Sequence, residues 1–102
     1  MCRAVNVKRE QCDVYCGRTF AGRQDIGLGN PHKVGWCSIC RRTHTRGEAV
    51  EAFRKDFESS ALLQQLALRL IKPGDRCGCW CKPNACHVDV IVDFINRSHK
   101  TT

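Results

Sequence analysis

Residues 75–96 read DRCGCWCKPNACHVDVIVDFIN, a β-favouring run, a tight turn and an apolar helical pattern with no spacer between them. The pattern predicts a strand over residues 76–81 and a loop over 82–85, where Pro83 and Asn84 supply the turn chemistry. A helix is predicted from Cys86 to about Arg97, with Val88, Ile91, Val92 and Ile95 inward. Four of the nine cysteines and one of the four histidines fall in the eleven residues from Cys77 to His87. A helix N-terminus presents unpaired N–H groups and a partial positive charge, so this junction favours an anion or a thiolate.

What precedes this junction sets the fold class. Residues 2–7 suit a short strand at a sheet edge, and the compact run at residues 13–16, DVYC, reads as a central strand halted by Gly17. Residues 19–44 show little periodicity and carry five of the glycines and prolines, which predicts a long loop with at most a short strand at 33–36. Thr45 and Glu48 then form a capping box, opening a helix over about 46–58. A second helix places Leu62, Leu63, Leu66, Leu70 and Ile71 on one face and stops before Lys72, Pro73 and Gly74. These two helices are expected to cover the sheet, and residues 98–102 to form a fraying polar tail. The prediction is a small single α/β domain over residues 1–97, with a short, mostly parallel sheet, about three helices and a long Cys-containing loop. If the strands around Val14 and Gly78 are parallel neighbours, their carboxyl ends share the edge where such sheets bind ligands.

A chain of 102 residues has room for one modest core, hence one main site. The net charge of +7 points to nucleic acid, nucleotides or other phosphorylated partners. No apolar run approaches the ~18 residues of a membrane span, and the amino end lacks a signal-peptide core, so no membrane partner and a cytoplasmic location are expected. There thiols stay reduced, and nine cysteines cannot all pair within one chain, so metal binding or thiol chemistry is the better account of them.

The residues assembled in this way resemble the DUF4326 family of phage and bacterial proteins. The resemblance rests on Val14-Tyr15-Cys16-Gly17-Arg18, on Gly29-Asn30-Pro31, on Thr45-Arg46 with Ala49 and Phe53, and above all on Cys79-Trp80-Cys81, Pro83, Cys86-His87 and Asp89. It implies a small α/β domain, often phage-borne and then working in the host cytoplasm, but supplies no activity. A fainter similarity links the Cys-His pair to the DUF488 family. The Cys37-Ser38-Ile39-Cys40 motif stands outside the family pattern.

Three constellations carry chemistry. Cys81 or Cys86 is a candidate nucleophile or acid, with His87 as acid/base; Cys77 and Cys79 are equally readable as small core residues. Cys37 and Cys40 are candidate metal ligands. Zinc would order the loop, with further ligands open among Cys12, Cys16, His32, His44, Cys81 and Cys86; the alternative is two unpaired thiols. Adjacent Cys86 and His87 diverge by about 100° on a helix and so should not share one metal. Arg18 is a candidate fork for phosphate, with Gly29 and Asn30 beside it; its bland alternative is an ion pair to an acid such as Asp89. Two functions remain in view. One is binding of a phosphate-bearing ligand, nucleotide or nucleic acid, with Cys/His catalysis on it. The other is a non-catalytic, zinc-braced module that docks a host protein or nucleic acid.

Overall fold

Three strands meet in one sheet around a middle strand that carries a glycine where its neighbours crowd closest. The computed structural model describes residues 1–99, so residues 100–102 of the expected tail lie outside the described residues. β1 (Arg3–Asn6), β2 (Val14–Tyr15) and β5 (Arg76–Cys79) form a sheet of order β1-β5-β2, and both neighbours run parallel to β5. At Gly78 a Cβ would come within 2.6 Å of the Cys12 sulfur and 2.7 Å of a Val7 methyl, so only glycine admits both flanking segments. β5 is therefore the central strand, and β2, expected in the centre, is a two-residue edge. Asp13 fastens that edge, its carboxylate accepting from the Arg76 backbone N–H at 2.7 Å and from the guanidinium at 3.1 Å.

Residues 19–44 are not all loop. β3 (Gly35–Cys37) and β4 (Arg42–His44) pair antiparallel as a hairpin, Cys37 opposite Arg42 and Gly35 opposite His44. The hairpin closes through Arg41, whose N–H donates to the Cys37 carbonyl at 2.7 Å while its backbone sits at φ 59°. Arg-Thr-His has no apolar alternation to mark it as a strand, and that is why β4 escapes a pattern search.

α1 (Arg46–Ser59) starts at the expected capping box: Thr45 N–H donates to Glu48 Oε1 at 2.8 Å, and Glu48 N–H to Thr45 Oγ1 at 3.2 Å. α2 (Ala61–Leu70) is capped by Ser60, whose hydroxyl accepts from the Leu63 N–H. It buries Ala67, and Ile71 beyond it, but leaves Leu62 80 % exposed, so Leu62 does not belong to the inward face assigned to it. α3 (His87–Ser98) lies directly on β1 and β5, and α1 and α2 pack against α3. The helix covering the sheet is thus α3, not α1 and α2. Its sequence explains this: Val88, Val90, Ile91 and Ile95 are all buried, a spread of apolar positions too wide for one contact face. His87 and Phe94, two turns apart, meet Phe53 and Phe57 of α1 at centroid distances of 4.9 and 5.2 Å. Burying each of those phenylalanines is worth roughly 1.5–3 kcal/mol. The Asn96 amide exchanges two hydrogen bonds with the Cys2 backbone and pins the amino end to α3. Among the described residues, no helix is long and apolar enough to cross a membrane.

Candidate functional site

β5 ends at Cys79, two residues short of the expected strand. Its neighbours run out there, and the Asn6 side chain takes over, donating to the Lys82 carbonyl at 2.7 Å. Cys77 and Cys79 share the buried face of the strand, whereas Trp80 and Cys81 lie beyond it, free to turn into the edge. Cys86 is the N-cap of α3 rather than its first helical residue. The Asp89 carboxylate accepts from the Cys86 N–H at 3.2 Å and pairs with Lys82 Nζ at 2.8 Å, so this acid caps the helix and does not reach Arg18.

At this edge Arg18, Cys81, Cys86 and His87 line both a cavity of about 420 Å³ and a smaller adjoining recess of about 60 Å³. Phe20, Lys33 and Trp80 complete the larger one, while Asn30 and Arg46 enter the smaller. Neither is lined by a carboxylate, and Arg18 has no ion-pair partner among the described residues. Tyr15 holds the entrance. Its hydroxyl accepts from Trp80 Nε1 at 2.7 Å and donates to the Arg18 carbonyl. Phe20 meets Trp80 edge-on at 5.4 Å, giving the cavity an aromatic wall.

The three thiols of the edge differ in state. Cys86 is 1 % exposed, and its interaction with the neighbouring Cys79 and Cys81 thiols, with burial added, pushes its pKa up. Cys79 is brought down to about 7, first by the Cys86 thiol, but it is buried. Cys81 is brought down to about 6, first by the Cys86 thiol and then, against the cost of burial, by the charges of Arg46 and Arg18. It is also the half-exposed member, hence the accessible thiolate. His87 is 8 % exposed, and burial lowers its pKa, so the ring is neutral at pH 7. Its Nε2 donates to the Cys16 carbonyl at 2.7 Å, which leaves the Nδ1 lone pair 3.7 Å from Cys86 Sγ.

Gly29 and Asn30 sit behind this edge. Gly29 lines neither cavity; its N–H donates to Asp25 Oδ1 at 3.2 Å, and a Cβ there would collide with that carboxylate. Asn30 reaches the recess, but its Nδ2 donates to the Ala49 carbonyl at 3.1 Å and its Oδ1 accepts from the His32 N–H at 2.9 Å. Both residues shape the loop that walls the site.

A second cluster lies on the inner side of the hairpin. The donor atoms of His32, Cys37, Cys40 and His44 all fall within 4.8 Å of one another, and these four residues can hold a metal ion. Cys37 ends β3, Cys40 stands in the turn and His44 ends β4. His32 Nδ1 lies 3.6 Å from Cys37 Sγ and 3.4 Å from Cys40 Sγ. Its Nε2 faces Asp56 Oδ2 at 2.6 Å, which holds the proton there and turns the Nδ1 lone pair to the sulfurs. Cys37 is lowered to about 6, first by the Cys40 backbone N–H. His44 is 2 % exposed and neither ring nitrogen has a partner. A buried imidazole without one hydrogen bond needs an explanation, and a metal ion held by this cluster would account for one of the two nitrogens. His32 and His44 stood among six candidates to complete the Cys37–Cys40 pair, and the fold brings these two to it. Tyr15, Trp80 and Arg46 were legible only as members of the motifs that carry the resemblance, and contacts across elements place them at the edge.

No solved structure matches the chain. A protein of Enterobacteria phage T4, the "Uncharacterized 12.4 kDa protein in nrdA-td intergenic region", is 31 % identical over 103 residues, covering 98 % of this chain and 82 % of that protein. The family described as "Domain of unknown function (DUF4326)" matches residues 2–97. That match spans both the sheet edge and the hairpin cluster, and the chain therefore belongs to the DUF4326 family.

Proposed function

We propose that this protein binds a phosphate-bearing ligand of the nucleotide class at the carboxyl edge of β2 and β5, with Cys81 as the nucleophile for chemistry on it. One observation carries this reading: a cavity of ligand size lined by Arg18 and Lys33 and by no carboxylate, with Arg46 in the recess behind. Arg18 provides a planar fork suited to phosphate oxygens, and the Phe20–Trp80 wall provides an apolar face for a base. Cys81 lies on the same surface as a thiolate, Cys86 holds a proton next to it, and Arg18 and Arg46 stand where negative charge would develop. Zinc is the metal we assign to His32, Cys37, Cys40 and His44, because two thiolates and two imidazoles closing on one point form a structural zinc set. Its role is to fasten the loop that carries Asn30 and Lys33.

The experiment is a calorimetric titration of mononucleotides into wild-type protein and Arg18→Ala, followed by product analysis. A bidentate charged contact worth about 1.5–3 kcal/mol makes the variant weaker by roughly tenfold to a hundredfold. Equal affinity in the two proteins removes the site assignment. Product that disappears in Cys81→Ser supports the enzyme, whereas saturable binding without turnover leaves a binding module.

A further inference from the structure

We infer that the outer face of the β3–β4 hairpin is a landing surface for single-stranded nucleic acid. Cys37 and His44 turn inward to the metal-ligand cluster, so Trp36, one residue from Cys37 on a strand, must face the other way. It is 63 % exposed, and Val34, which precedes the strand and borders the recess behind the edge cavity, is 52 % exposed. Ile39 in the turn adds a third apolar side chain at 58 % exposure. Trp36 is opposed across the ladder by Thr43, a small polar residue that leaves the indole face open. An indole set in water on a three-residue strand contributes little to folding, and its burial awaits a partner.

The charge around it selects that partner. From Ile26 to Gly47 the sequence has no acidic residue, while Lys33 and Arg41 flank the exposed aromatic and are themselves exposed. Arg42 borders a recess with Glu48, Glu51 and Asp56 of α1, so its charge is partly answered within the chain and is not counted here. An open aromatic face with two exposed cations within five residues of it in the chain fits an unstacked base and its neighbouring phosphates, the combination that single strands present and duplexes do not. A protein partner recognised through Trp36 would need acids complementary to Lys33 and Arg41 and no base; that is an outcome of the test. Lys33 also lines the edge cavity, which places the surface on the cavity's rim. Lys33 is shared with that cavity, whereas Trp36 and Arg41 line neither it nor the recess behind it.

The test is fluorescence anisotropy of a labelled oligothymidylate of about twelve nucleotides, inside the usual site sizes, against the metal-containing protein. We expect saturable binding whose log–log salt slope is about −1.4, the release expected for two neutralised phosphates on a single strand. Trp36→Ala should weaken it about tenfold, Trp36→Phe should retain most of it, and Arg41→Ala should flatten the slope by about 0.7. Melting temperature and metal content serve as controls, since exposed Trp36 is not needed for folding. Three results would overturn the inference: Trp36→Ala binding like wild type, duplex DNA binding as tightly as the single strand, or Trp36→Ala abolishing a self-association detected by light scattering, which would assign the face to a second copy of the chain.

Discussion

Replacing His44 by phenylalanine should change the sign of its effect with the metal. His44 is 2 % exposed, and no protein group partners either ring nitrogen. A buried polar group in that state costs about 1–3 kcal/mol. Phenylalanine is close in volume and carries no polar atom, so metal-free His44→Phe should be as stable as the metal-free wild type or more stable by up to that amount. With zinc present the order reverses. A metal held at a thousandfold excess over its dissociation constant contributes about 4 kcal/mol, and His44→Phe loses one of the four ligands. For a domain of this size about 4–8 °C of Tm accompanies each kcal/mol, so chelator should lower the wild-type Tm by roughly 16–32 °C. His44→Phe should melt within a few degrees of the same temperature with and without chelator. Circular dichroism melts in zinc buffer and after chelation, with elemental analysis giving close to one zinc per wild-type chain, make the measurement. A wild-type Tm indifferent to chelator, with His44→Phe less stable in both conditions, would refute the metal centre and leave His44 as an ordinary core residue.

The thiols give a second prediction: at pH 7 iodoacetamide should modify Cys81 well before Cys77, with a rate half-maximal near pH 6, and Arg46→Ala should move that midpoint upward. Uniform slow labelling, read by peptide mass spectrometry, would remove the activated thiolate. The Asp13–Arg76 clamp gives a third. The Arg76 guanidinium, then its backbone N–H, lowers Asp13 from 3.8 to about 2, so the folded chain binds this proton more weakly than the unfolded one. Its stabilisation is complete above pH ~4 and is lost as pH falls through about 2; Asp13→Asn should flatten that acid limb of the urea midpoint, and an unchanged limb would show that the clamp contributes nothing.

The sequence by itself determined what rests on neighbours in the chain. The capping box at Thr45 and Glu48 is a three-residue relation, and it places the start of α1. The 3.6-residue periodicity placed α2 and α3, and the order of elements gave the parallel α/β arrangement together with the edge where Gly17-Arg18 meets the Cys81 to His87 loop. Cys37 and Cys40 were legible as a pair because their spacing is local. The tertiary structure decided whatever depends on meetings between distant segments. β5 is central because Gly78 lets two chains approach at once, and α3 lies inside because its apolar residues face both the sheet and α1; neither follows from the pattern of one element. Leu62 has the right periodicity and still faces water, since an apolar position is buried only if a partner stands opposite. His44 reaches the cluster of His32, Cys37 and Cys40 through the register of a hairpin that has no hydrophobic signature. Cys81 is the accessible thiol of the edge because the strand stops at Cys79 when its neighbours end, leaving that sulfur near Cys86, near Arg18 in the segment after β2, and near Arg46 at the start of α1.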